Sequence, residues 1–343
     1  MRPAAILVLL GPKGAGKSFL GRLMESELSV SFIDVESIFL SLDDPRDVTN
    51  GYERVADEVA AHSAGGSAVS LELTGASEHA DELIERLRGL GSVRLVRVDA
   101  TLSTCLRRVR DRDASVHLPA DEALVETVHA ACADSTRDHD LTIDNDTDDA
   151  GRPLTRLRRL VEHLAIGEGR TLSSYRHEDA PALVEALEDG TVAATIPVIP
   201  HPYGLEQARS FLRYRIATSG RHDVEVAFAL RDADDRLIGS VGLEGFETSG
   251  PNAAELGYWI GPRHWGQGLT GAAVPVVLRH AFETLALERV NARTLVGNQA
   301  SRRILDRNGF QHVETRLKDT PTRDGPRDTS YHVLEQSGWL ALR

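Results

Sequence analysis

The sequence predicts an α/β chain of two domains. The first is a parallel sheet with helices on both faces, and the second is an α+β domain with a mixed, mostly antiparallel sheet. Three observations carry this expectation. Up to about residue 165, short apolar runs alternate with helically spaced segments, the pattern of a covered parallel sheet. Beyond about residue 220, strands follow one another directly, as in an antiparallel sheet. In each half a glycine-rich loop joins a strand to a helix, at residues 11–18 and 263–268.

Taken in order, Ala4–Leu10 is a continuous apolar run suited to a buried parallel strand, and Lys17–Leu28 has helical spacing. Ser31–Asp34, Ser67–Leu73 and Val93–Val98 read as further strands, with a helix over Glu78–Arg88. Thr101–Arg110 and Asp121–Ala133 read as helices, and Leu141–Ile143 as a short strand. The acidic stretch 144–151 reads as a loop, and Pro153–Ala165 as a final helix. Gly167–Arg170 is the expected linker, dividing the chain into domains 1–166 and 171–343.

The second half opens with a strand over Thr171–Arg176, a helix from about Asp179 and another over Leu205–Thr218. Strands Val224–Leu230, Leu237–Leu243 and Ala254–Ile260 precede a helix over Leu269–Leu285. A strand (Val290–Val296), a helix (Ser301–Asn308) and two strands (Phe310–Arg316, Thr329–Glu335) close the chain.

Composition narrows the function. Of 343 residues, 41% are hydrophobic and 27% charged, ordinary values for a chain that buries a core. The net charge of −13 argues against general nucleic-acid binding, which needs clustered positive charge. No apolar run approaches the ~20 residues of a membrane span, and no cleavage signal follows the first strand, so a cytoplasmic protein is expected. Cys105 and Cys132 make neither a disulfide framework nor a metal spacing. Lysine occurs at only three positions, 13, 17 and 318, and two of these fall in one glycine-rich loop.

Arg263-His-Trp-Gly-Gln-Gly268 lies between an apolar strand and a long helix. Glycines let a loop turn its amides inward, and the following helix start adds partial positive charge, which together suit a pyrophosphate. The strand Ala254-Glu-Leu-Gly-Tyr-Trp-Ile260, the loop residues Trp265, Gly266, Gln267 and Gly268, then Asn298-Gln-Ala-Ser301 and Asn308-Gly-Phe310 follow in order. This series resembles the GNAT N-acetyltransferases, in particular those of ribosomal-protein N-termini, from about Thr171 to Trp339. The resemblance implies an acetyl-CoA-dependent enzyme in which a substrate amine attacks the thioester directly. It makes Glu255 the general base and Ser301 the proton donor to the leaving thiolate, with Ser301 alternatively the N-cap of its helix. Many such enzymes carry a tyrosine acid where this chain has Leu305. Arg263, Trp265, Gly266, Gln267 and Gly268 would hold the pyrophosphate. The backbone of Tyr258, Trp259 and Ile260 and the side chain of Asn298 would hold the pantetheine arm. The acceptor would be a small-molecule amine or a protein N-terminus, and a homodimer is the implied assembly.

Gly11-Pro-Lys-Gly-Ala-Gly-Lys-Ser18 matches the P-loop pattern and sits after a strand and before a helix, the context that pattern requires. The amides of Gly11, Gly14, Ala15 and Gly16 would cradle phosphates, Lys17 would reach the outer ones, and Ser18 would bind Mg²⁺. With Phe32-Ile-Asp-Val-Glu36 and Arg108-Val-Arg-Asp-Arg112, the first half resembles small P-loop kinases of the shikimate and nucleotide kinase type. That resemblance implies ATP or GTP as ligand and a small-molecule hydroxyl as acceptor. Asp34 would meet the hydroxyl, Arg108 would stack on the base and Arg112 would reach the transferring phosphate. Glu72 is the nearest substitute for an aspartate that holds Mg²⁺ through water. The whole chain then reads as a bifunctional acetyltransferase and kinase. In the alternative, the P-loop domain is a nucleotide sensor or partner scaffold for an N-terminal acetyltransferase.

Overall fold

The structure is a computed structural model that describes residues 4–64, 66–76, 78–112, 117–146, 151–161, 164–167, 169–218, 225–246 and 248–342. The middle of the expected acidic loop (147–150), residues 162–163 of the expected final helix, Glu168 of the expected linker and Val224 at a strand head lie outside the described residues. The chain divides into two compact units, Met1–Glu162 and His163–Arg343.

The first unit runs β1 (Ala4–Leu10), α1 (Lys17–Leu28), β2 (Ser31–Ile33), α2 (Val35–Leu40), α3 (Val48–Ser63), β3 (Val69–Leu73), α4 (Glu78–Arg88), β4 (Gly91–Asp99), α5 (Leu102–Arg110), α6 (Glu122–Ala133), β5 (Leu141–Asp144) and α7 (Gly151–Val161). Its sheet has the order β2-β3-β1-β4-β5 and every pairing is parallel. Such a sheet must be covered on both faces, and β1 shows why its sequence is apolar throughout. Ile6, Val8 and Leu10 join Val55, Val59 and Leu83 in a core on one face. Leu7 and Leu9 join Leu20, Met24 and Leu157 on the other. Helix α3 was not foreseen. Its buried residues Gly51, Val55, Ala56 and Val59 nevertheless recur at helical spacing. Thr101 and Asp121, expected inside helices, are instead their N-caps, accepting from the amides of Thr104 and Leu124.

The second unit runs β6 (Leu164–Gly167), β7 (Arg170–Ser173), α8 (Ala180–Leu187), α9 (Leu205–Thr218), β8 (Glu225–Arg231), β9 (Leu237–Glu244), β10 (Ala253–Ile260), α10 (Leu269–Arg279), β11 (Arg289–Leu295), α11 (Gln299–Arg307), β12 (Gln311–Thr320), β13 (Arg327–Glu335) and α12 (Gln336–Ala341). The order is β12-β13-β11-β10-β9-β8-β7-β6, antiparallel except for the parallel pair β10–β11. The helix expected to reach Ala165 stops at Val161, and the expected linker is the turn between β6 and β7. The cause is period: Leu164 and Ile166 alternate and pack on the core beneath α10, where a strand fits and a helix does not. Among the described residues, no helix is long and apolar enough to cross a membrane.

A buried ion pair ties β8 to the start of α8. Arg231 is 1% exposed at its side chain and forks onto Asp179 at 2.7 and 2.9 Å, while its Nε donates to Ser173 at 2.6 Å. Asp179 also accepts from the amide of Arg176 at 2.8 Å. Removing Asp179 leaves Arg231 buried with Asp235, 3.8 Å away and already paired with Arg176, as a remaining carboxylate neighbour. Asp179→Ala is therefore expected to cost about 3–5 kcal/mol of stability, read as the shift in a urea midpoint.

Candidate active site

In the second unit the parallel pair β10–β11 is zipped only part of the way. Its register runs from Ala253↔Arg289 to Leu256↔Ala292 and stops. Beyond that point β10 stays paired with β9 as far as Ile260, and β11 stays paired with β13 as far as Leu295. The two strands therefore part, leaving main-chain groups of Gly257–Ile260 without a ladder partner on that side. None of these four residues is buried, so their main-chain groups are open to an extended ligand that carries amides of its own.

At the mouth of the opening lies the glycine loop. Gly268 is the N-cap of α10, in the left-handed region at φ 72°, and no side chain caps the helix. A Cβ added at Gly266 or Gly268 would meet nothing within 4 Å, so open space lies in front of the helix start. The first amides of α10 have no partner within the helix, and the helix dipole favours an anion there. The indole of Trp265 donates to the Ile260 carbonyl at 2.7 Å and ties the loop to the strand end.

The acetyltransferase (GNAT) domain family matches residues 170–311. The uncharacterized N-acetyltransferase YoaA of Bacillus subtilis is 30% identical over 132 residues, 38% of this chain and 73% of its own length. The chain belongs to the GNAT acetyltransferase family. The ribosomal-protein-serine acetyltransferase of Escherichia coli is 32% identical over 77 residues, 22% of this chain and 42% of that protein. The FsC-acetyl coenzyme A-N(2)-transacetylase of Aspergillus fumigatus is 32% identical over 91 residues, 26% of this chain and 39% of that protein. The chain thus spans less than half the length of these last two relatives.

The GNAT signature residues fall as follows. Arg263 ion-pairs with Glu185 of α8, which also holds Arg236. Gln267 accepts from Arg170 at 3.3 Å. Asn298 accepts from the amide of Ser301 at 3.0 Å and is the N-cap of α11. This corrects the alternative reading of Ser301 as the cap: Ser301 is the third residue of the helix, and its hydroxyl is free for other work. The hydroxyl of Tyr258 lies 2.6 Å from Ser301 Oγ. Sequence reasoning had assigned only the backbone of Tyr258. Leu305 is 1% exposed in the core, so no acid acts from that position. Glu255 stands in register with Glu244 and Asn291 and accepts from Arg293 Nε at 2.6 Å. Sequence reasoning missed Arg293, because the β11 strand that carries it shows no motif. Burial lowers the Arg293 pKa, but its hydrogen bond and charge contact with Glu255 outweigh this and raise it.

In the first unit, Gly16 is the left-handed N-cap of α1, at φ 94°, again without a side-chain cap. Lys17 is 7% exposed, and its Nζ donates to the carbonyls of Gly11 and Pro12, each at 2.9 Å. Burial pulls its pKa down, with the charge of Glu72 opposing. Ser18 donates to Glu72 at 2.6 Å, so the structure brings together the two residues expected around a cation. Among the described residues no group of three metal-ligating side chains occurs. Arg108 reaches the carbonyls of Gly14 and Ala15, each at 3.4 Å, and Asn145 donates to Ala15 at 2.7 Å. The charge of Arg112, near the end of α5, is felt at Lys17. Asp34 caps α2 by accepting from Ser37 at 3.0 Å and binds Arg22 at 2.8 Å. Glu36 instead accepts from the amide of Leu118 at 2.9 Å, lies 2.8 Å from His117 Nδ1 and pairs with Lys13. Burial raises the Glu36 pKa, but these partners outweigh it and bring it below the ordinary value.

Proposed function

We propose that the second unit is an acetyl-CoA-dependent N-acetyltransferase acting on a primary amine, with a protein N-terminus as the favoured acceptor. The observation that carries this is the parting of β10 from β11 in front of an uncapped helix start. The open strand edge fits the amide-bearing pantetheine arm, and the Gly266–Gly268 turn fits the pyrophosphate. Bound acetyl-CoA supplies an activated acetyl thioester. Glu255 takes the proton from the incoming ammonium, directly or through one water, so that the free amine can attack. Arg293 holds one of its carboxylate oxygens and leaves the other for the amine. Ser301 donates to the sulfur as the carbon–sulfur bond breaks. The ribosomal-protein-serine acetyltransferase among the relatives supports the choice of a protein N-terminus.

Release of free thiol from acetyl-CoA, followed across peptides with free N-termini and small amines, tests this reading. No release with any amine would overturn it. Gly268→Val places a β-branched side chain at φ 72° in the mouth of the site. It is expected to weaken acetyl-CoA binding by ~10-fold or more, measured by calorimetry. Unchanged affinity would place the pyrophosphate elsewhere.

For the first unit we propose a P-loop nucleotide site for ATP or GTP with Mg²⁺, and phosphoryl transfer to a small-molecule hydroxyl. The contact between Ser18 and Glu72 at 2.6 Å, beside a buried lysine and an uncapped helix start, favours it. Ser18 and Glu72 would hold the cation, and Lys17 would turn from the loop carbonyls to the outer phosphates. Arg112 would neutralise charge on the transferring group. With Asp34 engaged by Arg22 and the α2 amides, it would orient an acceptor hydroxyl from its flank.

A further inference from the structure

We propose that Tyr258 is a positioning residue for acetyl transfer: its hydroxyl donates to Ser301 Oγ and so aims the serine proton at the departing sulfur. This rests on the acetyltransferase reading of the second unit, and it adds a residue whose side chain that reading does not use.

As the third residue of α11, Ser301 lies in the first turn, held by the Asn298 cap. A serine there is free to swing between rotamers or to donate back to a preceding carbonyl, and either choice takes its proton away from a ligand. The only side-chain partner of Ser301 Oγ among the described residues is Tyr258, at 2.6 Å.

The direction of that bond follows from what else each hydroxyl can reach. If Ser301 donated to Tyr258, the tyrosine proton would need its own acceptor. The nearest is the Ser301 carbonyl at 3.4 Å, a long contact to an oxygen that already serves the helix. If Tyr258 donates to Ser301, both protons are well used: the phenol proton is bound, and the serine proton is free to point into the opening between β10 and β11. The phenol also holds its proton firmly. Burial pushes the Tyr258 pKa up to about 12, against the opposing effect of its bond to Ser301. Tyr258 therefore remains a donor through the cycle, and no net proton leaves it. The serine hydroxyl bonds to the sulfur as charge develops, and solvent later supplies the proton that the thiolate keeps.

This arrangement also accounts for Leu305. A tyrosine on α11 would reach the sulfur from the helix. Here that position is closed into the core, and the phenol comes from the strand instead.

A double-mutant cycle in turnover tests the idea. Tyr258→Phe removes one oxygen and keeps the ring. It is expected to lower kcat ~10-fold while the KM for acetyl-CoA stays within ~2-fold, because the lost contact matters only as the thiolate forms. In a Ser301→Ala background the same change is expected to do nothing further, since there is no hydroxyl left to aim. An equal loss in both backgrounds, or a loss confined to KM, would overturn the proposal. A wild-type protein that transfers acetyl to no amine would instead overturn the reading it rests on. A second measurement needs neither an amine nor a Tyr258 variant. In carbon NMR of ring-labelled tyrosine, the Tyr258 Cζ signal should move between wild type and Ser301→Ala. A signal that stays in place would show that the two hydroxyls are not bonded, and would end the proposal even if Tyr258→Phe did not fold.

Discussion

Replacing Lys17 by alanine is expected to lower affinity for MgATP or MgGTP by ~10²-fold or more, the largest effect of any single change in the first unit. The ammonium is buried against two loop carbonyls and opposite Glu72, so no water takes its place cheaply when phosphates arrive. Calorimetry of wild type and Lys17→Ala with each nucleotide reads the effect, with the urea midpoint of the first unit as the folding control. An unchanged midpoint with lost nucleotide binding would make residues 11–18 a working site and justify a screen of hydroxyl acceptors. Absence of nucleotide heat in the wild type would leave that unit as a scaffold and turn the search towards protein partners.

Glu255→Gln is expected to lower acetyl-transfer turnover by ~10²-fold with little change in acetyl-CoA affinity. Glutamine keeps the size of the side chain and an oxygen for Arg293, so the sheet face should survive the change. What is lost is the charge that accepts the ammonium proton. The deficit should shrink as pH rises, because more of the amine then arrives already deprotonated. Turnover equal to wild type at every pH would remove Glu255 from the role of base and leave it as an ion-pair partner of Arg293.

Much of this was legible in the residues. Strong apolar runs such as Ala4–Leu10, and helices with a clear stripe such as Lys17–Leu28, have a period that survives in a single sequence. The two glycine loops were legible because their spacing is chemically restrictive. What was not legible depends on partners far along the chain. Leu164 and Ile166 become a strand because a sheet edge is there to receive them. Ser301 keeps its hydroxyl for Tyr258 because Asn298 takes the capping task, and two plausible caps three residues apart cannot be ranked by eye. The Tyr258–Ser301 contact joins residues 43 positions apart. Arg263 shows the opposite limit: it sits within a motif, yet Glu185 on another helix holds its side chain.

Gly16 and Gly268 open their helices in the same way, left-handed and with no side chain on the first amides. Whatever such an opening grips is gripped by main chain, and main chain is invisible to an alanine scan. Trimming Arg263, Trp265 or Gln267 would return modest numbers and invite the conclusion that the loop is idle. The informative chemistry is replacement of a backbone amide by an ester at the first positions of α1 or α10, which deletes one donor and leaves every side chain in place. It would also show how the grip is divided among successive amides.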